Sequence, residues 1–202
     1  MRINIDWTNS ITNGIKDDVT GTSLPIDYKF KTSVSDEALI YGYGSDGMIS
    51  ASKSMMKIVG DNTDLYVQGY FQYDSKKSGG VTISHLRFSK DKIHSTFYVN
   101  EPKIIAVSKE SYLDSFDCYS NLKDNGVFIL NTIKTEEELK ETLPSKFVKY
   151  MVEHNIDFYA INAYELARKV GLDNKISTVL QSSIMSLFPV LDYETAKDKM
   201  KE

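Results

Sequence analysis

The architecture of this chain can be predicted outward from one segment, Ala38-Leu-Ile-Tyr41-Gly42-Tyr-Gly44-Ser-Asp-Gly47. Its first four residues form an apolar run typical of a buried strand, and residues 48–59, which follow it, have the composition of a helix. Between them lies a G-x-G-x-x-G turn. N–H groups at a helix start are unpaired, the helix dipole favours negative charge there, and glycines let a phosphate approach the backbone. We therefore predict a phosphate pocket lined by Gly44, Ser45, Asp46 and Gly47, although the same motif also occurs as a plain tight turn.

Strand and helix patterns alternate along the chain from residue 36 onwards. Predicted strands cover residues 38–43, 65–71, 80–88, 103–107, 126–131 and 157–161. Predicted helices cover residues 47–59, 109–116, 135–141, 144–154, 162–170, 175–187 and 192–200. This alternation predicts an α/β fold, an open, mostly parallel sheet with helices on both faces.

Two regions depart from the alternating pattern. Residues 81–88 and 93–98 have polar alternation and are predicted to form an inserted β-hairpin joined by residues 89–92. Residues 1–35 are polar, rich in turn formers and without a clear period. We predict that they form an extended arm or linker, with a disordered tail as the alternative, and that residues 36–202 form the folded domain.

Composition excludes several classes of function. Lys and Arg number 24 against 28 Asp and Glu, so the net charge of −4 predicts no nucleic-acid partner. The lone cysteine, Cys118, cannot form an internal disulfide or a cysteine-ligated cluster, which fits a reducing cytoplasm. No apolar run approaches the roughly 20 residues of a membrane helix, and the first residues lack a signal-peptide core. We predict a cytoplasmic protein with no metal site.

Two further loops are predicted at the edge of the sheet that carries the glycine turn. Lys76 and Lys77 lie in a Ser- and Gly-rich segment after the second strand and could supply charge for phosphate, although a Lys-Lys pair is more often a solvated turn. Asn131 ends an apolar strand and could bind a ligand through its donor and its acceptor. A structural cap or turn has equal weight for Asn131. The second strand ends without a well-placed acid for a ribose, which argues against NAD.

Several of these segments together resemble a known family. They are Gly42-Tyr-Gly-Ser-Asp-Gly47, Val59-Gly-Asp-Asn-Thr-Asp-Leu-Tyr66, Gln68-Gly-Tyr-Phe71 and Tyr73-Asp-Ser-Lys-Lys-Ser-Gly-Gly-Val-Thr-Ile-Ser-His-Leu-Arg-Phe88. This sequence is similar to the gamma-type domain of pyruvate:ferredoxin (flavodoxin) oxidoreductase, and residues 14–25 resemble the linker that enters that domain.

The resemblance implies a coenzyme A-binding domain of an oxidoreductase that acts on the oxo group of pyruvate, or another 2-oxoacid, with an iron–sulfur protein as acceptor. Thiamine diphosphate and iron–sulfur clusters would lie in the rest of the enzyme, and this chain alone would be inactive. The implied partners are the other domains or subunits, with ferredoxin or flavodoxin as electron acceptor and a homodimeric full enzyme. The implied coenzyme A residues are Gly44, Ser45, Asp46, Gly47, Met48, Lys76, Lys77, Asn131, Asn174 and Lys175.

Two positions depart from the family pattern, and two other functions stay open. Met48 stands where a threonine is usual, and Lys175 stands where we expect an arginine. The alternatives are an NAD-type dinucleotide-binding domain and a non-catalytic scaffold domain.

Overall fold

The computed structural model describes residue 34 and residues 36–74, 80–94, 96–173 and 175–201. The strands are β1 (Asp36–Tyr43), β2 (Tyr66–Tyr73), β3 (Val81–Ser89), β4 (Ile104–Val107), β5 (Val127–Asn131) and β6 (Asp157–Ile161). The helices are α1 (Met48–Asn62), α2 (Tyr112–Ser115), α3 (Glu136–Thr142), α4 (Ser145–Glu153), α5 (Ala163–Lys169), α6 (Ile176–Leu187) and α7 (Tyr193–Lys199). The predicted arm lies outside the described residues, apart from Val34, and stays a prediction.

The strands form one six-stranded sheet in the order β2-β3-β1-β4-β5-β6. β1, β4, β5 and β6 pair in parallel, whereas β3 pairs antiparallel with both β1 and β2. β3 is therefore the one reversed strand of this sheet. The prediction of an open, mostly parallel α/β sheet is confirmed.

The antiparallel insert differs from the predicted hairpin. Residues 93–98 were predicted as its second strand, but none of those that the structure describes is in a strand, so that prediction is wrong. The hairpin is formed instead by β2 and β3, with Tyr73 opposite Thr82. Because β3 pairs with β1 on its other side, both of its edges are filled and no edge remains for residues 93–98.

Helices cover both faces of the sheet, as predicted. Alternation along β1 sends Ala38 and Ile40 to one face and Leu39 and Tyr41 to the other. The first face packs against buried side chains of α1, α5, α6 and α7, and the second against those of α2, α3 and α4. Burial of apolar surface on both faces is the main favourable contribution to folding.

Side-chain caps begin helices α3 and α7. Thr135 Oγ1 accepts from the Glu138 N–H at 3.3 Å, and Glu138 Oε2 accepts from the Thr135 N–H at 2.8 Å, which together form a capping box at α3. Asp192 caps α7 through the Thr195 N–H at 3.0 Å. In the part of the chain that the structure describes, no helix is long and apolar enough to cross a membrane.

The topology fixes where a ligand crevice can lie. After β1 the chain passes to β2 on one side, and after β3 it returns to β4 on the other side of β1. α1 and α2, the first helices after β1 and β4, contribute to opposite faces of the sheet. This is a topological switch point, and ligands of open α/β sheets bind outside the carboxyl ends of the strands at such a point.

Candidate ligand crevice at the carboxyl ends of β1 and β4

The glycine turn has the backbone geometry for which glycine is needed. Gly44 has φ 44° and Gly47 has φ 86°, both in the left-handed region. Gly47 is the N-cap of α1, and a Cβ added to it would lie 2.8 Å from Ser177 Oγ. The start of α6 therefore lies directly against the start of α1, and only a residue without a side chain fits between them.

Asp46 occupies part of the predicted phosphate cradle with its own carboxylate. Its oxygens accept from the N–H groups of Tyr43 at 2.6 Å and Met48 at 2.9 Å, and from Ser108 Oγ at 2.7 Å. The Met48 N–H is therefore bonded within the protein. This carboxylate also places a negative charge beside the site predicted to hold an anion.

Other N–H groups of the turn remain available. Among the described residues, nothing accepts a hydrogen bond from the N–H of Ser45 or of Gly47. Ile49 and Ser50, in the first turn of α1, lack an intrahelical acceptor, as all helix starts do. The part of the turn that could receive an anion is thus narrower than the sequence predicted, and it is centred on Ser45 and Gly47.

The lysine-rich loop begins and ends beside this turn. Gly80 O accepts from the Gly44 N–H at 2.8 Å, and Val81 O accepts from the Asp74 N–H at 3.1 Å. Lys76 and Lys77 themselves lie outside the described residues, so their role as phosphate ligands stays a prediction. The structure does bring both ends of their loop to the expected edge of the sheet.

Asn131 makes structural hydrogen bonds with both ends of its amide. Its side chain is 2% exposed; Nδ2 donates to Ser108 O at 3.0 Å, and Oδ1 accepts from the Ala163 N–H at 3.0 Å. The amide ties the end of β4 to the start of α5. A structural role for Asn131, the alternative to ligand binding given by the sequence, accounts for these contacts. Its role as a ligand-binding residue stays a prediction.

The residues predicted near the last loop are only partly described. Asn174 lies outside the described residues. Lys175 is an exposed residue that forms the N-cap of α6, and its N–H donates to Leu172 O at 3.0 Å. Since Ser177 of the same helix contacts Gly47, Lys175 begins a helix that abuts the glycine turn.

A crevice opens between these elements at the switch point. It has a volume of about 160 Å³ and is lined by Tyr43, Asp46, Ser108, Lys109, Tyr164 and Ile176. Lys109 and Tyr164, and the adjacent Ser177, were missed by the sequence analysis. Asn131 was predicted as a site residue because it is a polar residue at the end of an apolar strand. Ser108 and Lys109 are polar residues directly after the apolar strand β4, so the same criterion could have found them.

Lys109 is the basic side chain of this crevice lining. Its Nζ lies 4.2 Å from the ring centroid of Tyr43 and 6.0 Å from that of Tyr112, within cation–π range. No ion pair within the described part of the chain involves Lys109. Lys53 of α1 has a different partner: its Nζ lies 5.3 Å from the ring centroid of Phe71 in β2.

Tyr112, the second ring near the Lys109 ammonium, is a neutral phenol. Burial raises the pKa of Tyr112 to about 12, and the carboxylate of Asp46 contributes to the rise. Its hydroxyl donates to Gly42 O at 3.3 Å. Among the described residues that line the crevice, Asp46 and Lys109 carry charges of opposite sign.

Comparison with known proteins gives matches over nearly the whole chain. The family model for pyruvate ferredoxin/flavodoxin oxidoreductase matches residues 37–202. The pyruvate-flavodoxin oxidoreductase of Klebsiella pneumoniae is 41% identical over 198 residues, and the pyruvate:ferredoxin oxidoreductase of Moorella thermoacetica is 39% identical over 196 residues. Each alignment covers 96% of this chain but 17% of the relative, so the chain spans about a sixth of the length of these relatives.

Solved structures share the fold at low sequence identity. The PORC subunit of pyruvate oxidoreductase from Thermotoga maritima superposes with a TM-score of 0.65 at 18% identity, covering 84% of this chain and 85% of that subunit. The 2-oxoglutarate:ferredoxin oxidoreductase of Magnetococcus marinus, solved with 2-oxoglutarate, coenzyme A and succinyl-CoA bound, gives 0.60 at 15% identity over 83% of this chain and 27% of that chain.

Proposed function

Because this chain belongs to the pyruvate ferredoxin/flavodoxin oxidoreductase family, we propose that it is the coenzyme A-binding domain of an enzyme that oxidatively decarboxylates pyruvate to acetyl-CoA. The named relatives act on pyruvate, and their greater length leaves room for the thiamine diphosphate and iron–sulfur parts of the reaction. The proposed partners are the remaining domains or subunits and a ferredoxin or flavodoxin. The proposed full enzyme is a cytoplasmic homodimer.

The observation that carries this proposal is the crevice at the switch point. The N–H groups of Ser45 and Gly47, which have no acceptor among the described residues, flank Asp46 of its lining, and Lys109 adds a cation. Backbone N–H groups supply directed donors to phosphate oxygens, while an ammonium group supplies a point charge. The negative charge of Asp46 opposes an anion at this place, so the cations around it, Lys109 and the predicted Lys76 and Lys77, have to outweigh that repulsion.

The sheet topology favours coenzyme A over NAD. β2 extends to Tyr73, two residues further than predicted, so Asp74 follows the strand directly. In a dinucleotide-binding sheet the ribose-binding acid follows the strand next to β1. Here β1 lies between the antiparallel β3 and the parallel β4, so β2, the strand that Asp74 follows, is two strand spacings from β1, roughly 9–10 Å. The position of β2 therefore disfavours the ribose contact of a dinucleotide site.

The role of this domain in the reaction would be to position the thiol of coenzyme A. Phosphates held at the crevice anchor one end of a long carrier, and the thiol at the other end reaches the acyl group held by the rest of the enzyme. Anchoring a remote part of a reactant raises its effective concentration at the reacting centre. This chain need supply no nucleophile of its own: Cys118 is buried, and burial raises the pKa of its thiol to about 12.

The test is a calorimetric titration of the 202-residue chain with coenzyme A, desulfo-coenzyme A and NAD. Coenzyme A and its desulfo analogue should bind alike, because the phosphates rather than the thiol are gripped. Lys109→Ala should raise the Kd for coenzyme A about tenfold, equivalent to about 1.4 kcal/mol. The matched control is Lys103→Ala, since Lys103 directly precedes β4 at the opposite edge of the sheet and pairs with Asp36; it should leave the Kd unchanged. Preferential binding of NAD would contradict the proposal.

A further inference from the structure

Among the described residues, no helix covers the outer part of the second sheet face. Along β2, the side chains of Val67 and Phe71 pack towards the first face, so Tyr66, Gln68, Tyr70 and Gln72 point to the second. Helices α2, α3 and α4 pack on this second face with core residues of β1, β4 and β5. We call the remaining part the β2–β3 face. It is formed by Tyr66, Gln68, Tyr70 and Gln72 of β2, by His85 and Arg87 of β3, and by residues 96–98.

The β2–β3 face exposes aromatic side chains around a cavity. Tyr66, Tyr70 and Tyr98 are 47%, 51% and 47% exposed. The cavity measures about 470 Å³ and is lined by Gln68, Gly69, Tyr70, Arg87, Thr96, Phe97 and Tyr98. Tyrosine is enriched in the contact surfaces of proteins because it combines a large apolar area with a polar end.

Beneath the cavity lies a buried cation with one unsatisfied donor group. Arg87 is 2% exposed; its Nε donates to Glu37 Oε1 at 2.7 Å and its Nη1 to Gln68 Oε1 at 3.0 Å. Within the part of the chain that the structure describes, its Nη2 has no hydrogen-bond partner, and the guanidinium lies 5.0 Å from the ring centroid of Phe97. A buried donor without an acceptor costs roughly 1–3 kcal/mol, and more when it is charged. An oxygen brought by a partner would remove that cost.

The edge of this face lacks the usual protection against pairing. β2 is the end strand of the sheet and has eight residues, Tyr66–Tyr73, with no charged residue and no proline. Natural edge strands carry such residues, or are short, to prevent contact with other chains. β6 at the other end is shorter and begins with Asp157. The β2 edge is therefore suited to a permanent contact.

We propose that the β2–β3 face is where the remainder of the same oxidoreductase docks, with an apolar side chain in the cavity and a carbonyl or carboxylate oxygen on Arg87 Nη2. This inference rests on the proposed function, because the chain spans 17% of its long relatives and most of their length lies outside the matched part. Because Glu37 already neutralises the charge of Arg87, the docked surface needs to bring only one acceptor oxygen to Arg87 Nη2. The crevice lies at the carboxyl ends of β1 and β4 and stays open in this arrangement.

Hydrogen exchange followed by mass spectrometry tests the proposal on the enzyme isolated from its source and on the 202-residue chain alone. Peptides covering residues 66–73 and 96–99 should exchange at least tenfold more slowly in the assembled enzyme. Residues 148–152 of α4, which include the exposed Val148 and Val152, are the internal reference for a surface that the proposed docking does not cover. Equal exchange of the β2 peptide in the two samples would overturn the proposal.

A pair of matched variants separates docking from coenzyme A binding. Tyr70→Ser alters the β2–β3 face, whereas Tyr159→Ser alters a tyrosine of similar exposure, 43%, on the opposite edge strand β6. In the assembled enzyme, Tyr70→Ser should restore fast exchange to β2, and Tyr159→Ser should not. Both isolated variants should bind coenzyme A with the same Kd as the unmodified chain. If Tyr70→Ser loses docking but still binds coenzyme A, the defect lies in the β2–β3 face and not in the proposed coenzyme A site.

Other occupants would give different results, and each would overturn the proposal. A second copy of the chain would be the occupant if β2 of the isolated chain exchanges more slowly as the chain concentration rises and light scattering gives a doubled mass. Slow exchange in the isolated chain that is lost when residues 1–33 are removed would assign it to that segment.

Discussion

Acidification should weaken the folded state of this protein through one buried imidazole, that of His85. Its Nδ1 accepts from the Val99 N–H at 3.2 Å, so the proton is on Nε2, which donates to Gln72 Oε1 at 2.8 Å. The ring is stacked on Tyr98 with centroids 4.8 Å apart. Burial, together with the nearby positive charge of Arg87, lowers the pKa of His85 from 6.5 to about 4. A proton added to Nδ1 would also displace the Val99 hydrogen bond.

The sign and size follow from proton linkage. Between pH 4 and 6.5 the unfolded imidazole is protonated and the folded one is not, so unfolding takes up a proton. The contribution of His85 is complete above pH 6.5 and is lost as the pH falls towards 4. Between about pH 7.5 and pH 5 the free energy of unfolding should fall by about 2 kcal/mol from this group.

Urea denaturation at these two pH values measures the change, with His85→Gln as the control. Carboxylates add their own pH dependence, but the difference in slope between the two proteins isolates the imidazole. NMR titration of the ring nitrogens gives the pKa directly. A His85 that titrates near 6.5, or a variant with the same pH dependence as the unmodified chain, would refute the reasoning.

Three other outcomes are expected. Gly47→Ala should lower the free energy of unfolding by about 1–2 kcal/mol and weaken coenzyme A binding, because the added Cβ would meet Ser177. The control is Gly171→Ala, which is also at positive φ but in open space; it should destabilise the fold less and leave binding unchanged. Urea denaturation measures the stability of both variants, and calorimetry measures their coenzyme A binding. The Cys118 thiol, buried and with a pKa raised to about 12, should resist a disulfide reagent at pH 8 in the folded protein and react fully in denaturant. Phe147→Ala, in the centre of the second face, should cost about 3–5 kcal/mol, measured from the shift in urea midpoint.

The sheet was predictable because its strands carry strong local signals. The apolar residues 104–107 and 128–130 are buried on both faces, and their composition alone indicates central parallel strands. The capping box at Thr135 and the cap at Asp192 mark helix starts through side-chain chemistry that acts within a few residues. Such signals do not depend on distant parts of the chain.

The failures concern partners that are distant in sequence. Polar alternation over residues 93–98 suggested a strand, but Phe97 lies against the guanidinium of Arg87 and the Val99 N–H bonds His85. Those contacts produce a similar pattern without strand pairing. Likewise, the hydrogen bond from Ser108 to the Asp46 carboxylate spans 62 residues and has no local signal, although the bonds of that carboxylate to the Tyr43 and Met48 N–H groups are local.

Antiparallel β3 links the fold to the choice of ligand. Had β2 lain beside β1, Asp74 would follow the strand next to the glycine turn, in the position from which an acid can bind a ribose. With β3 between them, both ends of the 74–80 loop come to the glycine turn instead, through Gly80 O and the Gly44 N–H. The same rearrangement therefore moves β2, the strand that precedes Asp74, away from β1. Under the proposed function, added positive charge suits the site better than another acid, because the Asp46 carboxylate already lies at the glycine turn.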